Sequence, residues 1–234
     1  MTFAASATLI LDALCVPAVM IDAYTASIKS AAWSPATGSR IVRVKTDVLD
    51  LEINTLGGSI VSAKLPQMPL SLDNPDVVKQ LLTTDPFRYY VAESGLIGSD
   101  DNLAPKHDKA IYTAEKTDYA LADGQDSLRV TLTWSNGQGV EVSKHFTFKR
   151  GLYDVIVEHE VTNNSGQTWS GREYQQLKRS SFKEETDSMF MVFYTGAGIY
   201  TAEDKFDKYD FEELQMRLFV MTACLFSICV ANAQ

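Results

Sequence analysis

Apolar residues recur at every second position along the middle of this chain, and that period leaves little choice of fold. Leu49, Leu51 and Ile53 alternate with Asp50, Glu52 and Asn54. Leu128, Val130, Leu132 and Trp134 repeat the pattern. So do Val140, Val142, Phe146 and Phe148, and then Tyr153, Val155, Val157 and Val161. Successive side chains of a strand point to opposite faces, so each run buries one face and wets the other. No sustained 3.6-residue pattern intervenes. NTLGG supplies a turn, because Gly57 and Gly58 take positive φ without steric cost. Val61, Ala63 and Leu65 then resume the alternation, and Pro66 is expected to end it. Ser135 to Gly139 and Arg150-Gly151 provide further turns. The expectation is an all-β fold of antiparallel strands in two packed sheets. Removing one face of each strand from water, at roughly 25 cal/mol per Å², is the term expected to hold it together. No cysteine lies between residues 16 and 223 to staple it.

This patterned region spans residues 41–213. Residues 1–40 read as an irregular arm and linker. TLILDALCVPAVMI within them is interrupted by Asp12 and Pro17 and lacks a basic flank, so it does not read as a membrane span. Residues 214–234 form an apolar tail. The net charge of −9 argues against nucleic acid, whose phosphates need a basic face, and equally against anionic lipid head groups. Glu184-Glu185-Thr186-Asp187 and the acids between Glu203 and Glu213 read as solvated faces.

Catalytic machinery is sparse. Of the three histidines, His159 continues the inward phase of Tyr153, Val155, Val157 and Val161, and reads as a core or rim histidine holding a hydrogen bond. His145 falls on the polar face with Glu141 and Lys149 and is expected to be solvated. His107 lies in SDDNLAPKHDKA, whose carboxylates suggest calcium but lack the spacing of a twelve-residue calcium loop. Asn163-Asn164-Ser165 matches a glycosylation acceptor but sits in turn-rich TNNSGQT. No nucleophile elbow, zinc-protease helix, P-loop or dinucleotide fingerprint occurs. No catalytic, cofactor or metal residue is therefore assigned.

VKTDVLDLEINTLGGSIVSAKLP, residues 44–66, resembles the start of the large periplasmic domain of the YidC membrane protein insertases. DPFRYYVAESGLIG, the hairpin Phe146 to Gly151 with Tyr153-Asp154-Val155, Gln176-Leu177-Lys178 and Lys205 to Tyr209 follow in the family's order. The resemblance implies a β-supersandwich, an architecture shared with galactose-mutarotase-like domains. It implies the periplasmic face of the bacterial inner membrane, with Sec translocon components and nascent inner-membrane proteins as partners. It further implies a non-enzymatic scaffold or partner-binding module. The family's clean membrane anchor and five core helices have no counterpart here, so no insertase residue is carried over and a truncated domain is expected. Two other readings stand beside it. One is a sugar-binding or mutarotase-like carbohydrate-active domain, which as an enzyme would need His159 with Glu158 or Glu160, strand neighbours that point apart. A non-functional truncated reading frame is the third.

The tail MRLFVMTACLFSICVANAQ has a basic start, fourteen mostly apolar residues from Leu218 to Ala231 and an A-x-A ending. That is the layout of a secretory signal peptide, expected to begin at Met216. A weak membrane anchor and a buried terminal segment are the alternatives.

Overall fold

The computed structural model describes residues 2–10, 38–72, 74–98, 104–106, 108–180, 196–201, 205–210 and 228–231. The expectations for His107, for the acidic run at 184–187 and for most of both terminal segments lie outside these. Every element among the described residues is a strand, and no helix there is long and apolar enough to cross a membrane.

Two sheets carry the fold. The first has the order β1 (Thr2–Ile10), β11 (Asp154–Asn163), β10 (Val140–Lys149), β9 (Ser127–Ser135), β7 (Thr113–Ala114). The second runs β15 (Ile228–Ala231), β12 (Trp169–Arg179), β6 (Tyr90–Gly98), β4 (Ser59–Ser71), β3 (Asp50–Asn54), β2 (Ile41–Lys45), β8 (Asp118–Ala120), with β5 (Asn74–Leu82) attached to β4. A separate hairpin pairs β13 (Gly196–Thr201) with β14 (Lys205–Asp210). Pairing is antiparallel except for β2 with β8. Thr2–Ile10, within the segment expected to be irregular, is an edge strand along β11.

The alternation read from sequence is what closes the sandwich. Leu51 and Ile53 of β3, Val130 and Leu132 of β9, Val142, Phe146 and Phe148 of β10, and Val155, Val157 and Val161 of β11 share one buried core. β11 alternates without a break: Val155, Val157, His159, Val161 and Asn163 are all buried. Asn163 is occupied by its own turn, its amide donating to the Gln167 carbonyl at 2.7 Å while its oxygen accepts from Ser165. The glycosylation pattern is thus turn chemistry.

Two details differ from the sequence expectation. Ile53 stands opposite Ile60 whereas Glu52 stands opposite Ser62, so the register shifts by one residue at Val61. This bulge moves the core phase of β4 to Ile60, Ala63 and Leu65, and Val61 packs outside the main core. Nor does Pro66 end β4, which runs on to Ser71. The register with β5 slips between Leu65 and Pro69 and again before Ser71. Irregular pairing of this kind tolerates the N–H that proline lacks. Beyond Leu65 the β4–β5 ribbon projects from the sandwich with Met68, Leu70, Val77 and Val78 exposed and Leu72 96% exposed.

Candidate functional site

Among the described residues, two buried polar bridges reach from the first sheet to the second. The inward phase of β10 reads Val140, Val142, Lys144, Phe146, Phe148, so strand geometry commits Lys144 to the core. It is fully buried. Its Nζ donates to the carbonyls of Ser94 at 2.6 Å, Gly58 at 2.7 Å and Gly57 at 3.2 Å, all in the second sheet or its β3–β4 turn. Three acceptors match the three protons of an ammonium. Gly58 makes room for the stem: at φ +62 a side chain would be strained, and a Cβ there would lie 3.0 Å from Lys144 Cδ. The Phe146 ring, centred 5.4 Å from Nζ, adds a cation–π contact.

The carbonyls have a reason to be free. β4 and β6 share one partner pair, Ile60 with Ala92. Continued antiparallel, the ladder would pair Ser59 with Glu93 and then Gly58 with Ser94. The ammonium binds both carbonyls of this last pair and ties the strands together where their own ladder stops.

The second bridge joins β11 to β12. His159 is fully buried, and its Nδ1 lies 2.9 Å from Oε1 of Glu173, itself only 7% exposed. His159 and Lys144 are cross-strand partners, so the two bridges stand side by side. On β6, Glu93 is buried and accepts a hydrogen bond from the Gln176 amide, its cross-strand partner. Tyr174 lies against Gly95, its own partner in that pairing. Burial, then Glu93, then Asp108 push the Tyr174 hydroxyl up from its ordinary value.

Burial pulls the Lys144 ammonium from its ordinary 10.5 down to about 7, while Glu173 and then Glu93 push it back. Between those two pH values the folded chain binds fewer protons at Lys144 than the unfolded chain. The contribution of Lys144 to stability is therefore expected to increase as pH rises through this window and to be flat below it. Urea midpoints of wild type and Lys144→Met across neutral to alkaline pH check this; the gap between them should widen above about pH 7.

The expected residues are redistributed. His159 points inward as its phase requires, but its carboxylate partner is Glu173. Glu158 instead pairs with Arg129 at 3.5 Å, and Glu160 with His145 at 3.3 Å. The convergence of His159 with Glu158 or Glu160 that a mutarotase-like site needs is not made. His145 departs from the solvated position expected of it. It does stand on the polar face, but with 9% exposure, held by Thr131 Oγ1 at 2.9 Å and by Glu160. Its neighbours across the ladder cover it. Lys144 and Glu173 were not legible as a site, although a lysine on the inward phase between Val142 and Phe146 was a signal. Among the described residues no group of three or more His, Cys, Asp and Glu is arranged to hold a metal ion.

Comparison with known proteins adds the decisive observation. The family model of the YidC periplasmic domain matches residues 41–222. The chain belongs to this family. Relatives named membrane protein insertase YidC include one from Thioalkalivibrio sulfidiphilus, 41% identical over 85% of this chain and 37% of the relative. Another, from Azotobacter vinelandii, is 43% identical over 73% of this chain and 31% of the relative. A third, from Methylococcus capsulatus, is 42% identical over 76% of this chain and 32% of the relative. The chain thus spans about a third of the length of these YidC relatives. The match begins at the first residue of β2, so both cross-sheet bridges belong to the family's domain.

Proposed function

We propose that this chain serves as the periplasmic module of a YidC-type insertase, assisting the insertion and folding of inner-membrane proteins as a non-enzymatic scaffold. Its site of action is the periplasmic face of the bacterial inner membrane, and its partners are Sec translocon components and nascent inner-membrane proteins. The family match over residues 41–222 carries this reading. The names of the relatives supply the activity, and a sandwich braced by two buried polar bridges suits a rigid platform. The domain runs from 41 to 213 in this reading, with the tail from Met216 as a separate signal-like segment.

Photo-crosslinking tests it. The full chain carrying a photoreactive residue at Leu72 or Phe87, exposed to 96% and 82%, is added to spheroplasts, whose outer surface presents the periplasmic face. Adducts with inner-membrane proteins, translocon subunits among them, are the expected result. Adducts confined to the chain itself would remove the proposal.

A further inference from the structure

His159 is the buried titratable group whose environment is least balanced. With Nδ1 2.9 Å from a Glu173 carboxylate oxygen, which can only accept, the neutral ring carries its proton on Nδ1. Nε2 then offers a lone pair, and it has no hydrogen-bond partner among the described residues. Burial, and then the Lys144 ammonium, stand against a second proton on the ring, while the Glu173 carboxylate favours one. Lys144 stands beside it on β10, already committed to three carbonyls. Glu173 faces it from β12, Glu93 lies beyond on β6, and Gln175 on β12 is uncharged. On the outer face of the same sheet stand His145 of β10 and, flanking on β11, Glu158 and Glu160, which are engaged with Arg129 and His145. β1, on the other side of β11, has no ionisable side chain from Thr2 to Ile10.

We propose that His159 is an acid-sensitive latch between the two sheets. Neutral, it joins β11 to β12 through Glu173. Protonated at Nε2, it sets a second buried positive charge against Lys144 and loosens the β6–β12 side of the second sheet from the first. The proton comes from solvent and no bond other than N–H is made. Burial holds the His159 pKa below its ordinary 6.5, the Glu173 hydrogen bond opposes this, and Lys144 adds to the lowering. The folded chain therefore binds fewer protons here than the unfolded chain between the lowered value and 6.5. The latch is fully closed above pH 6.5 and weakens as pH falls below it.

Hydrogen exchange on the full chain, corrected for intrinsic rates, reads the opening. Protection of β6 and β12 amides is expected to fall by up to about tenfold per pH unit below the ordinary histidine range, while the β9–β10 ladder keeps its protection. His159→Gln should abolish that pH dependence and His145→Gln should retain it. Persistence of the transition in His159→Gln would assign it to Glu173 or another carboxylate and overturn the proposal, as would unchanged protection in the wild type. Should His159→Gln fail to fold, ¹⁵N imidazole shifts of the wild type decide. An Nδ1–H tautomer whose titration marks the low-pH end of the loss of protection supports the latch. An Nε2–H tautomer, or a ring that titrates at or above the ordinary histidine value, overturns it.

Discussion

Lys144→Met is expected to destabilise the domain by about 3–5 kcal/mol, the range for removing one partner from a buried charge network. Methionine nearly matches the volume of the lysine stem and keeps its apolar contacts, so the loss isolates the ammonium. Three carbonyls, of Gly57, Gly58 and Ser94, would each lose a donor inside the protein. Each unsatisfied buried acceptor costs roughly 1–3 kcal/mol. Glu173 and Glu93 would lose the cation that compensates them. Offsetting this, the ammonium no longer has to be desolvated, which is why the expected loss is smaller than a simple sum. Lys144→Arg should not rescue, because a planar guanidinium cannot direct three donors along the converging directions of one ammonium. Urea unfolding at neutral pH measures the effect. A midpoint change equivalent to less than about 1 kcal/mol would show that the carbonyls find other donors and that the bridge is dispensable.

Trp169→Ala should cost a similar amount, about 3–5 kcal/mol, for a different reason. Among the described residues Trp169 is the largest fully buried side chain, and it opens β12. Its ring lies over Gly171 so closely that a Cβ there would stand 2.5 Å from Trp169 Cη2 and 3.0 Å from the Ile97 carbonyl oxygen. Removing the indole leaves a cavity between β12 and the core. The close approach makes a second substitution diagnostic. Gly171→Ala alone overpacks the site and should destabilise by about 1–3 kcal/mol. Combined with Trp169→Ala it should add far less, an interaction energy of about 0.5–3 kcal/mol that a double-mutant cycle reads from thermal or urea unfolding. Strict additivity would mean that the ring and the glycine do not share the space.

The sheets were legible because strand periodicity needs no knowledge of partners. Leu51, Val142 and Val157 declare an inward face from their own neighbours alone, and the structure buries all three. The same logic placed His159 inside. It could not name Glu173, because which strand lies across the sandwich is a long-range fact that a local period does not carry. Lys144 was harder still. Its acceptors are backbone carbonyls, which leave no trace in residue identity, and they are exposed to it only because the β4–β6 ladder stops after one pair. The bulge at Val61 is invisible for a related reason: an inserted residue looks like ordinary alternation until the partner strand is known. His145 shows the limit from the other side. Its phase follows from its own strand, but its burial depends on Thr131 and Glu160, contributed by strands on either side.

The ammonium bridge also bears on how long a folded molecule lasts. Lys144 and its acceptors are separated by 50, 86 and 87 residues along the chain. No single hairpin brings them together; β6, β10 and the turn before β4 must all be in place first. Contacts of such long sequence separation are reached late, once loop closure has been accomplished elsewhere. An interaction formed after the barrier leaves the rate of folding almost untouched and slows the return to the unfolded state. Lys144 thus acts less as an organiser of the sandwich than as a brake on its opening, setting the lifetime of the assembled sheets rather than the speed of their assembly.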